Sequence, residues 1–483
     1  MLFRHTLLYL PAQVIGPLFQ LISVIAWTHV TSESTLGVIT LVTATHELLQ
    51  TVFLAWWSQF ALRFLGSFQG KEGLDRFYRT ENAVLLASVV IQSVIAITIL
   101  WTTISPDAPA VLSVAVVGYV VTRSFNLYIA ERARVRHEIA VYSIQQITGP
   151  ALGFVLGLLL IHVFGEMPEW PIAGYAVAQF AAVAVVLPMT AFGWSVGPVD
   201  RTIIRQALKY GVPLIVGGGL GWVSLNASRF IVSHMLGLAS AGLFAVGYGL
   251  GQRAATMAAM LVTASAFPIA VRRMEEHGSK AATLQLMDNG ALLAAILFPS
   301  VAGVFALRTE IVHVLIAGPF QAVTLAILPL AALAGAVRNF RAHFGDQIFL
   351  LHRRTPVTVA INGIEAVITV VAGIILIEKW GPIGGAAASV IAATVAAAAS
   401  FAAGLSIFKL RLPLAHLVRI AAATAAMMAV LHFLKGNETW VALAVHVAVG
   451  AAVYVIVLIA LYGPTLLNRR PQGPAVQLVD RGG

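Results

Sequence analysis

Apolar runs of about 20 residues, separated by short polar breaks, recur along the whole chain. An α-helix of this length crosses the ~30 Å hydrocarbon core of a bilayer. Counting the runs and their breaks predicts about 14 membrane-spanning helices. They lie near residues 6–29, 37–63, 81–103, 110–130, 140–163, 171–193, 210–234, 240–267, 284–306, 322–350, 357–377, 384–407, 415–434 and 438–462.

The middle of the chain repeats the pattern with which the chain begins. Residues 7–30 and 208–232 each contain a tyrosine, an early proline and an apolar helix interrupted by glycines. A short break follows each copy, and then a glycine, Gly37 or Gly242, opens the next span. Both copies are predicted to run from inside to outside, as in the parallel repeats of transporters.

This pattern predicts an all-α polytopic membrane protein made of two six-helix lobes, related by a parallel repeat, and two additional C-terminal helices. The short polar breaks leave no room for a soluble domain between the spans. The predicted units are an N-terminal lobe, 1–200, a C-terminal lobe, 201–412, two transmembrane helices in 413–465, and a cytoplasmic tail, 466–483.

Composition and charge add the orientation. Hydrophobic residues make up 59% of the chain and charged residues 10%, whereas soluble domains carry roughly 25% charged residues. Of the 30 Lys and Arg, only Arg308, Lys379 and Lys435 fall in loops opposite to the N-terminus. Cytoplasmic loops of membrane proteins are rich in these residues, so both termini are predicted to be cytoplasmic, in a cell inner membrane. The net charge of +10 is then a topology signal and does not indicate nucleic-acid binding.

Motifs of the common catalytic and nucleotide sites are missing from the sequence. It contains no GxxxxGK[ST] loop, no HExxH and no nucleophile elbow, and it has no cysteine for a disulfide. The external loops are short, which argues against an external catalytic domain. We therefore expect a carrier that is not an enzyme and that uses no cofactor or metal.

Several segments carry a resemblance to a known family. They are WWSQFALRFLG at 56–66, ALKYGVPL at 207–214, SRFIVSHMLGLASAGLFAVGYGLGQR at 228–253, AFP at 266–268 and WGPIGGAAASV at 380–390. The chain resembles the polysaccharide transporter (O-antigen and exopolysaccharide flippase) family of the multidrug/oligosaccharidyl-lipid/polysaccharide flippase superfamily. One departure is Ser228, where many relatives have an acidic residue before the arginine.

The resemblance implies a fold and a function. Members have two lobes in a V, with a central cavity lined by spans one, two, seven and eight. They move a lipid-linked oligosaccharide, built on a polyprenyl diphosphate, from the cytoplasmic to the outer leaflet by alternating access. The implied partners are this substrate, membrane lipids, a proton or sodium as coupling ion, and other polysaccharide-assembly proteins.

Four arginines are candidates for substrate binding, because charge inside a membrane is costly and marks functional sites. Arg253 lies 11 residues after Gly242, ~16 Å into its helix, and a guanidinium can bind a diphosphate bidentately. The alternative is that Arg253 only pairs with Glu47, ten residues after Gly37, or with a helix carbonyl, and locks the lobes together. Arg229 is predicted near the outer surface, as an outer gate, a sugar contact or a residue that snorkels to headgroups.

Arg338 and Arg341 are three residues apart and share one helical face. If the tenth span runs from about residue 321 to 351, both arginines lie within the membrane, with Asp346 as a partner. If the span ends at Arg341, the rest is an interfacial helix and the arginines are inner anchors. The sequence leaves both alternatives open.

Ion coupling has four candidates of its own, namely Glu47, His46, Asp288 and Glu365. A buried carboxylate can carry a proton or coordinate sodium, and its alternative role is a structural pair with an arginine. For Asp288 and Glu365 the structural pair is favoured, because each lies in the inner part of its helix.

Three other functions compete with the flippase. A peptidoglycan-precursor flippase has the same fold. A multidrug antiporter of this superfamily needs an acidic cavity, and the arginines argue against one. A membrane polysaccharide polymerase or ligase usually carries a long external loop, which this chain lacks.

Overall fold

The computed structural model describes residues 2–68, 70–190, 193, 195, 197–434 and 438–467. These residues are helical almost throughout, and no β-strand occurs among them. The predicted all-α polytopic class is confirmed. Lys435 and the predicted tail from residue 468 onward lie outside the described part of the chain.

In the described residues, seven helices form the N-terminal half. They are α1 Leu2–Val30, α2 Glu33–Phe53, α3 Ala55–Phe64, α4 Gly70–Ile99, α5 Ala110–Val135, α6 Ile139–Phe164 and α7 Glu169–Val186. The predicted second span, 37–63, is two helices, because the backbone leaves helical geometry at Leu54 with φ −129°. The bend lets Trp57 stack on Phe77 with a centroid distance of 5.6 Å, fully buried.

The described part of the C-terminal half adds seven more helices. They are α8 Arg201–Leu315, α9 Gly318–Phe340, α10 Gln347–Leu351, α11 Thr355–Trp380, α12 Pro382–Phe408, α13 Leu414–Phe433 and α14 Trp440–Leu467. A π-helical turn, Arg341–Gly345, joins α9 to α10. The tenth span therefore continues to Leu351, and the alternative in which it ends at Arg341 is wrong.

The long helix α8 is three segments, 201–236, 238–277 and 279–315. Gly237 with φ 86° and Gly278 with φ 76° make the two turns between them. Positive φ strains residues with a Cβ, so a single glycine is sufficient to reverse the chain at each point.

The number of spans agrees with the sequence pattern. In the described residues, 12 helical stretches are long and apolar enough to cross a membrane, and α8 contains two of them. Because α8 has two turns, its two stretches correspond to three spans, which raises the number from 12 to 13. Helix α1 is the fourteenth span, so the prediction of about 14 is confirmed.

The two halves meet at the glycines that open the repeated spans. A side chain at Gly37 would collide with the carbonyl of Leu238, and one at Gly242 would collide with the carbonyl of Glu33. Each collision partner lies four residues before the opposite glycine, so the contact is reciprocal. This symmetry agrees with the predicted parallel repeat. The lobe boundaries at residues 200 and 412 stay predictions.

A second contact joins the halves at the predicted inner end. Tyr210, in the first segment of α8, packs edge-on against Phe64 of α3 with a centroid distance of 5.4 Å. Arg63 lies over the same tyrosine ring at 5.4 Å. The pair of helices α2 and α3 therefore contacts α8 at Gly37, near the start of α2, and at Phe64, the end of α3.

The two C-terminal helices dock on the third segment of α8. Tyr454 of α14 donates a hydrogen bond of 2.7 Å to the carbonyl of Ala295. His446 of α14 lies 2.8 Å from a carboxylate oxygen of Glu310, and both side chains are largely buried. The pair α13–α14 is therefore attached to the C-terminal half by apolar packing and by a buried polar contact.

Candidate substrate-binding site

Arg253 lies deep in the second segment of α8, 16 residues after the turn at Gly237, or ~24 Å along the axis. Its side chain is half-buried. Among the described residues, no carboxylate lies within 4.0 Å of its guanidinium and no hydrogen bond to it occurs. The charges of Arg229, Glu47 and Tyr175 act on it from longer range. Arg253 is thus a cation held inside the membrane without a direct counter-ion.

Glu47 of α2 is exposed, and its charge acts on Arg253. Within the described part of the chain, its carboxylate takes part in no ion pair. The direct Glu47–Arg253 pair considered as an alternative role is therefore absent from the structure. The two groups interact only through the intervening space.

Arg229 is the third charge at this place. It precedes Gly237 by eight residues, ~12 Å along the first segment of α8. Its Nη1 donates a hydrogen bond of 3.1 Å to Asn226 Oδ1, while its Nε is buried without a partner. Asn226 thus fixes the guanidinium but leaves its charge uncompensated, and its repulsion of Arg253 favours an anion between them.

Arg123, which the sequence analysis did not single out, adds a fourth charge. It lies 13 residues into α5, ~20 Å from the start of the helix. Its charge acts on Tyr119, His46 and Tyr175. The signal was present in the sequence, since Arg123 interrupts an apolar run just as Arg229 does.

We call Arg123, Arg229, Arg253 and Glu47 the charge cluster. It contains three guanidinium groups and one carboxylate, so it is positive overall. It includes residues from the N-terminal half, on α2 and α5, and from the C-terminal half, on α8. An arrangement of this kind can bind an anion between the two halves.

Arg338 and Arg341 lie elsewhere, in an ion-pair network inside the C-terminal half. Arg338 Nε is 2.7 Å from Glu365 Oε1, and Arg341 Nη1 is 2.6 Å from Glu365 Oε2. Arg341 Nε is also 3.2 Å from Asp346, the partner predicted from the sequence. Two arginines balance two carboxylates, which fits the structural role foreseen for Glu365. Substrate binding by the arginines and ion coupling by Glu365 stay predictions.

The network extends to the helix that carries Arg253. Arg338 Nη1 donates a hydrogen bond of 3.1 Å to Gln252 Oε1, and Gln252 Nε2 donates one of 3.2 Å to the carbonyl of Ala331. Gln252 therefore points into the C-terminal half while its neighbour Arg253 belongs to the charge cluster. The network fixes the rotation of this helix.

Of the two remaining ion-coupling candidates, His46 lies near the cluster, where the charge of Arg123 acts on it, and Asp288 lies apart from it. His46 is 1% exposed, and its Nε2 lies 3.2 Å from Ser124 Oγ, inside the N-terminal half. Asp288 is exposed on the third segment of α8, between the exposed Leu284 and Leu292 one turn away on either side. Their role in ion coupling stays a prediction.

Groups of possible metal ligands were sought among the described residues. Within the residues that the structure describes, no three His, Asp or Glu side chains are close enough to hold a metal ion together.

Comparison with known sequences adds a family. A family model described as polysaccharide biosynthesis protein matches residues 69–324, more than half of the chain. Among individually curated proteins, no sequence matches significantly.

Solved structures share the fold over nearly the whole chain. The lipid II flippase MurJ, in an inward closed conformation, is similar with a TM-score of 0.75 and 14% identity, covering 95% of this chain and 100% of that one. An inward-facing multidrug resistance MATE family transporter of the MOP superfamily gives 0.63 and 15%, with 86% and 98% covered. At these identities the similarity shows the fold alone.

A third solved structure shares the fold. A MOP superfamily transporter from Pyrococcus furiosus Vc1, described by a reverse polarity of its binding pocket, has a TM-score of 0.57 and 14% identity. The alignment covers 84% of this chain and 95% of that chain.

Proposed function

Because this chain belongs to the polysaccharide biosynthesis protein family and has the fold of MOP-superfamily flippases and transporters, we propose that it flips a lipid-linked oligosaccharide. The family predicted from the sequence is confirmed. The proposal adds the substrate, a glycan on a polyprenyl diphosphate, and its movement from the cytoplasmic to the outer leaflet of the inner membrane. Alternating access of the two halves would carry it, for polysaccharide or lipopolysaccharide biosynthesis.

The charge cluster is the observation that carries this proposal. Its three arginines have no carboxylate within ion-pair distance in the described residues, although charge at this depth costs ~3 kcal/mol or more. A diphosphate diester has one ionised oxygen on each phosphate and supplies the missing counter-charge. We assign Arg253 as the main diphosphate contact and Arg229 as a second cation on the same half. A guanidinium binds phosphate oxygens bidentately and stays charged at all relevant pH values.

The reciprocal glycine contact supports movement by alternating access. Gly37 and Gly242 join α2 to α8 at the end that charge predicts to be external. The charge cluster lies deeper than this contact. Opening and closing of this contact would expose the cluster to one side of the membrane at a time.

The alternatives make different demands on the same site. A peptidoglycan-precursor flippase also handles a lipid diphosphate, so the sugar is what separates it from our proposal. A multidrug antiporter for cations is disfavoured by three arginines against one carboxylate. A membrane polymerase or ligase would change the glycan chemically, whereas a flippase only relocates it.

A reconstitution experiment tests the proposal. Purified protein in liposomes, without ATP, is expected to expose a lipid-linked oligosaccharide to an external glycan-modifying enzyme, with the glycan itself unchanged. The rate is expected to respond to a proton gradient, a sodium gradient or a membrane potential. Strict dependence on ATP, or an altered glycan in mass spectra, would exclude the carrier mechanism. Deletion of the gene then shows which lipid-linked sugar accumulates in the inner leaflet.

A further inference from the structure

Arg123 is a cation inside a membrane span of the N-terminal half, and among the described residues it has no counter-ion within ion-pair distance. In the described residues its guanidinium takes part in no ion pair and no hydrogen bond, yet it lies near the middle of a membrane span. Its side chain is half-buried and keeps accessible surface. A guanidinium at this depth needs water or an anion, because an unsatisfied charge is expensive in hydrocarbon.

Two glycines of α6 make room for the groups around Arg123. A side chain at Gly149 would begin 3.9 Å from Arg123 Nη1 and 3.4 Å from Cγ of Gln179. One turn later, a side chain at Gly153 would collide with the ring of Tyr175. Arg123 and Tyr175 therefore lie against the same small-residue face of α6.

Tyr175 of α7 packs against an apolar cluster that contains Val246 and Leu250 of α8, so it lies where the two halves meet. The charges of both Arg123 and Arg253 act on its hydroxyl group. Glu47 acts on Arg253 and also on Tyr119, which lies one turn before Arg123 on α5. The two arginines thus approach the same region from α5 and from α8, with a tyrosine near both and a carboxylate near Arg253.

We infer that Arg123 is the contact of the N-terminal half for the substrate's diphosphate, opposite Arg253 of the C-terminal half. The inference rests on the proposed function and adds a residue from α5, outside the four spans that the family resemblance places on the cavity wall. With two phosphates and two opposed guanidinium groups, each half of the protein can bind one phosphate. A bound diphosphate then attracts both halves, whereas in an empty site Arg123 and Arg253 repel each other.

Binding of farnesyl diphosphate to the purified full-length protein tests the inference. Arg123→Gln and Arg253→Gln are each expected to weaken binding about 10- to 100-fold, the usual effect of losing a charge-assisted hydrogen bond. Arg123→Lys should recover part of it, since it keeps the charge but loses the bidentate fork. Arg419→Gln is the matched control. Arg419 is on α13 and lies over the ring of Tyr462 on α14, away from the cluster. Farnesol, without phosphates, should bind all variants alike.

Two results separate this inference from the proposed function. If Arg123→Gln binds within twofold of the unmodified protein while Arg253→Gln is weakened, Arg123 is not a contact and the proposed function stands. If neither variant binds farnesyl diphosphate more weakly, Arg253 is not a diphosphate contact either, and both the inference and the proposed function are contradicted.

A chemical measurement covers the case in which Arg123→Gln does not fold. Phenylglyoxal modifies accessible arginines, and peptide mass spectrometry reports the extent at Arg123 in the unmodified sequence. Farnesyl diphosphate is expected to protect Arg123, and farnesol is not. Equal modification with and without farnesyl diphosphate overturns the inference. So does an Arg123 that never reacts, because such a residue is not open to a ligand.

Discussion

Gly37 and Gly242 occupy equivalent places in the two halves of the chain. The backbone four residues before each glycine occupies the space that a side chain on the other glycine would need. A Cβ on either glycine meets a carbonyl of the opposite helix, which cannot rotate away as a side chain could. The closest approach of the two halves therefore depends on two hydrogen atoms, one at each glycine.

Substitution of either glycine is expected to prevent this contact. Gly37→Ala and Gly242→Ala should destabilise the closed arrangement by about 1–3 kcal/mol, the usual cost of overpacking, and should lower the flipping rate. The chain has no cysteine, so a single cysteine at Glu47 can report access from the external side through a membrane-impermeant maleimide. Labelling should increase in both variants. Gly303→Ala, with open space around the new atom, is the control; labelling equal to that control would contradict the prediction.

Loss of the main cation should abolish transport without loss of the protein. Arg253→Ala is expected to stop flipping in proteoliposomes at normal membrane abundance, because helix packing holds the fold. Arg253→Lys should recover only part of the activity. The structure has no direct Arg253–Glu47 pair, so the double variant Arg253→Gln with Glu47→Gln should remain inactive. Near-normal flipping by the double variant would instead make Arg253 a structural partner.

The ion-pair network of α9 and α11 should matter for stability. Glu365→Gln leaves Arg338 and Arg341 short of a counter-charge in a buried place, which costs about 3–5 kcal/mol. The melting temperature in detergent should fall clearly. Glu378→Gln, at an exposed position of the same helix, should leave it unchanged. Equal melting temperatures for the two variants would show that Glu365 is not a stabilising partner.

Docking of the C-terminal helices should depend on the buried His446–Glu310 contact. Replacing Glu310 by Gln removes a charged acceptor from a largely buried site, at a cost of about 1–3 kcal/mol. Limited proteolysis between α12 and α13 should become faster. The pair His313–Glu438, with an N–O distance of 2.7 Å but side chains 30% and 48% exposed, gives the comparison. Its variant Glu438→Gln should change proteolysis little, and the reverse order would refute this account.

Topology tags test the orientation on which the inner and outer ends depend. Reporters at Ser34, Glu166 and Gly436 are expected on the external side, and reporters at Gly70, Gly278 and the C-terminus in the cytoplasm. A C-terminus on the external side would require an odd number of spans and would contradict the repeat.

The sequence predicted the spans and their repeat well, because both depend on local patterns. Apolar length determines a span, and the glycines at positions 37 and 242 mark its opening wherever the helix finally packs. The pairing of Arg341 with Asp346 was also within reach, since it depends on a short stretch of one span. The structure then decided that this span continues past Arg341.

Side-chain direction across helices was beyond the sequence. Glu47 and Gln252 each lie ten residues after the glycine that opens their span. Glu47 nevertheless belongs to the charge cluster, whereas Gln252 points into the C-terminal half and accepts a hydrogen bond from Arg338. Arg123 was missed because α5 is not among the cavity spans of the resembling family. Only the packing of α6 against α5 and α7 shows where its side chain goes.

The unbalanced charge of the cluster has a consequence for the energetics of the empty protein. The three arginines and one carboxylate have a net positive charge. Whenever the halves rearrange, this charge moves through part of the electric field across the membrane. Moving one charge across the full field is worth about 2.3 kcal/mol per 100 mV. An inside-negative potential therefore favours the arrangement in which the cluster is nearer the cytoplasm, where substrate is loaded. A bound diphosphate cancels this bias, so the voltage acts selectively on the empty carrier.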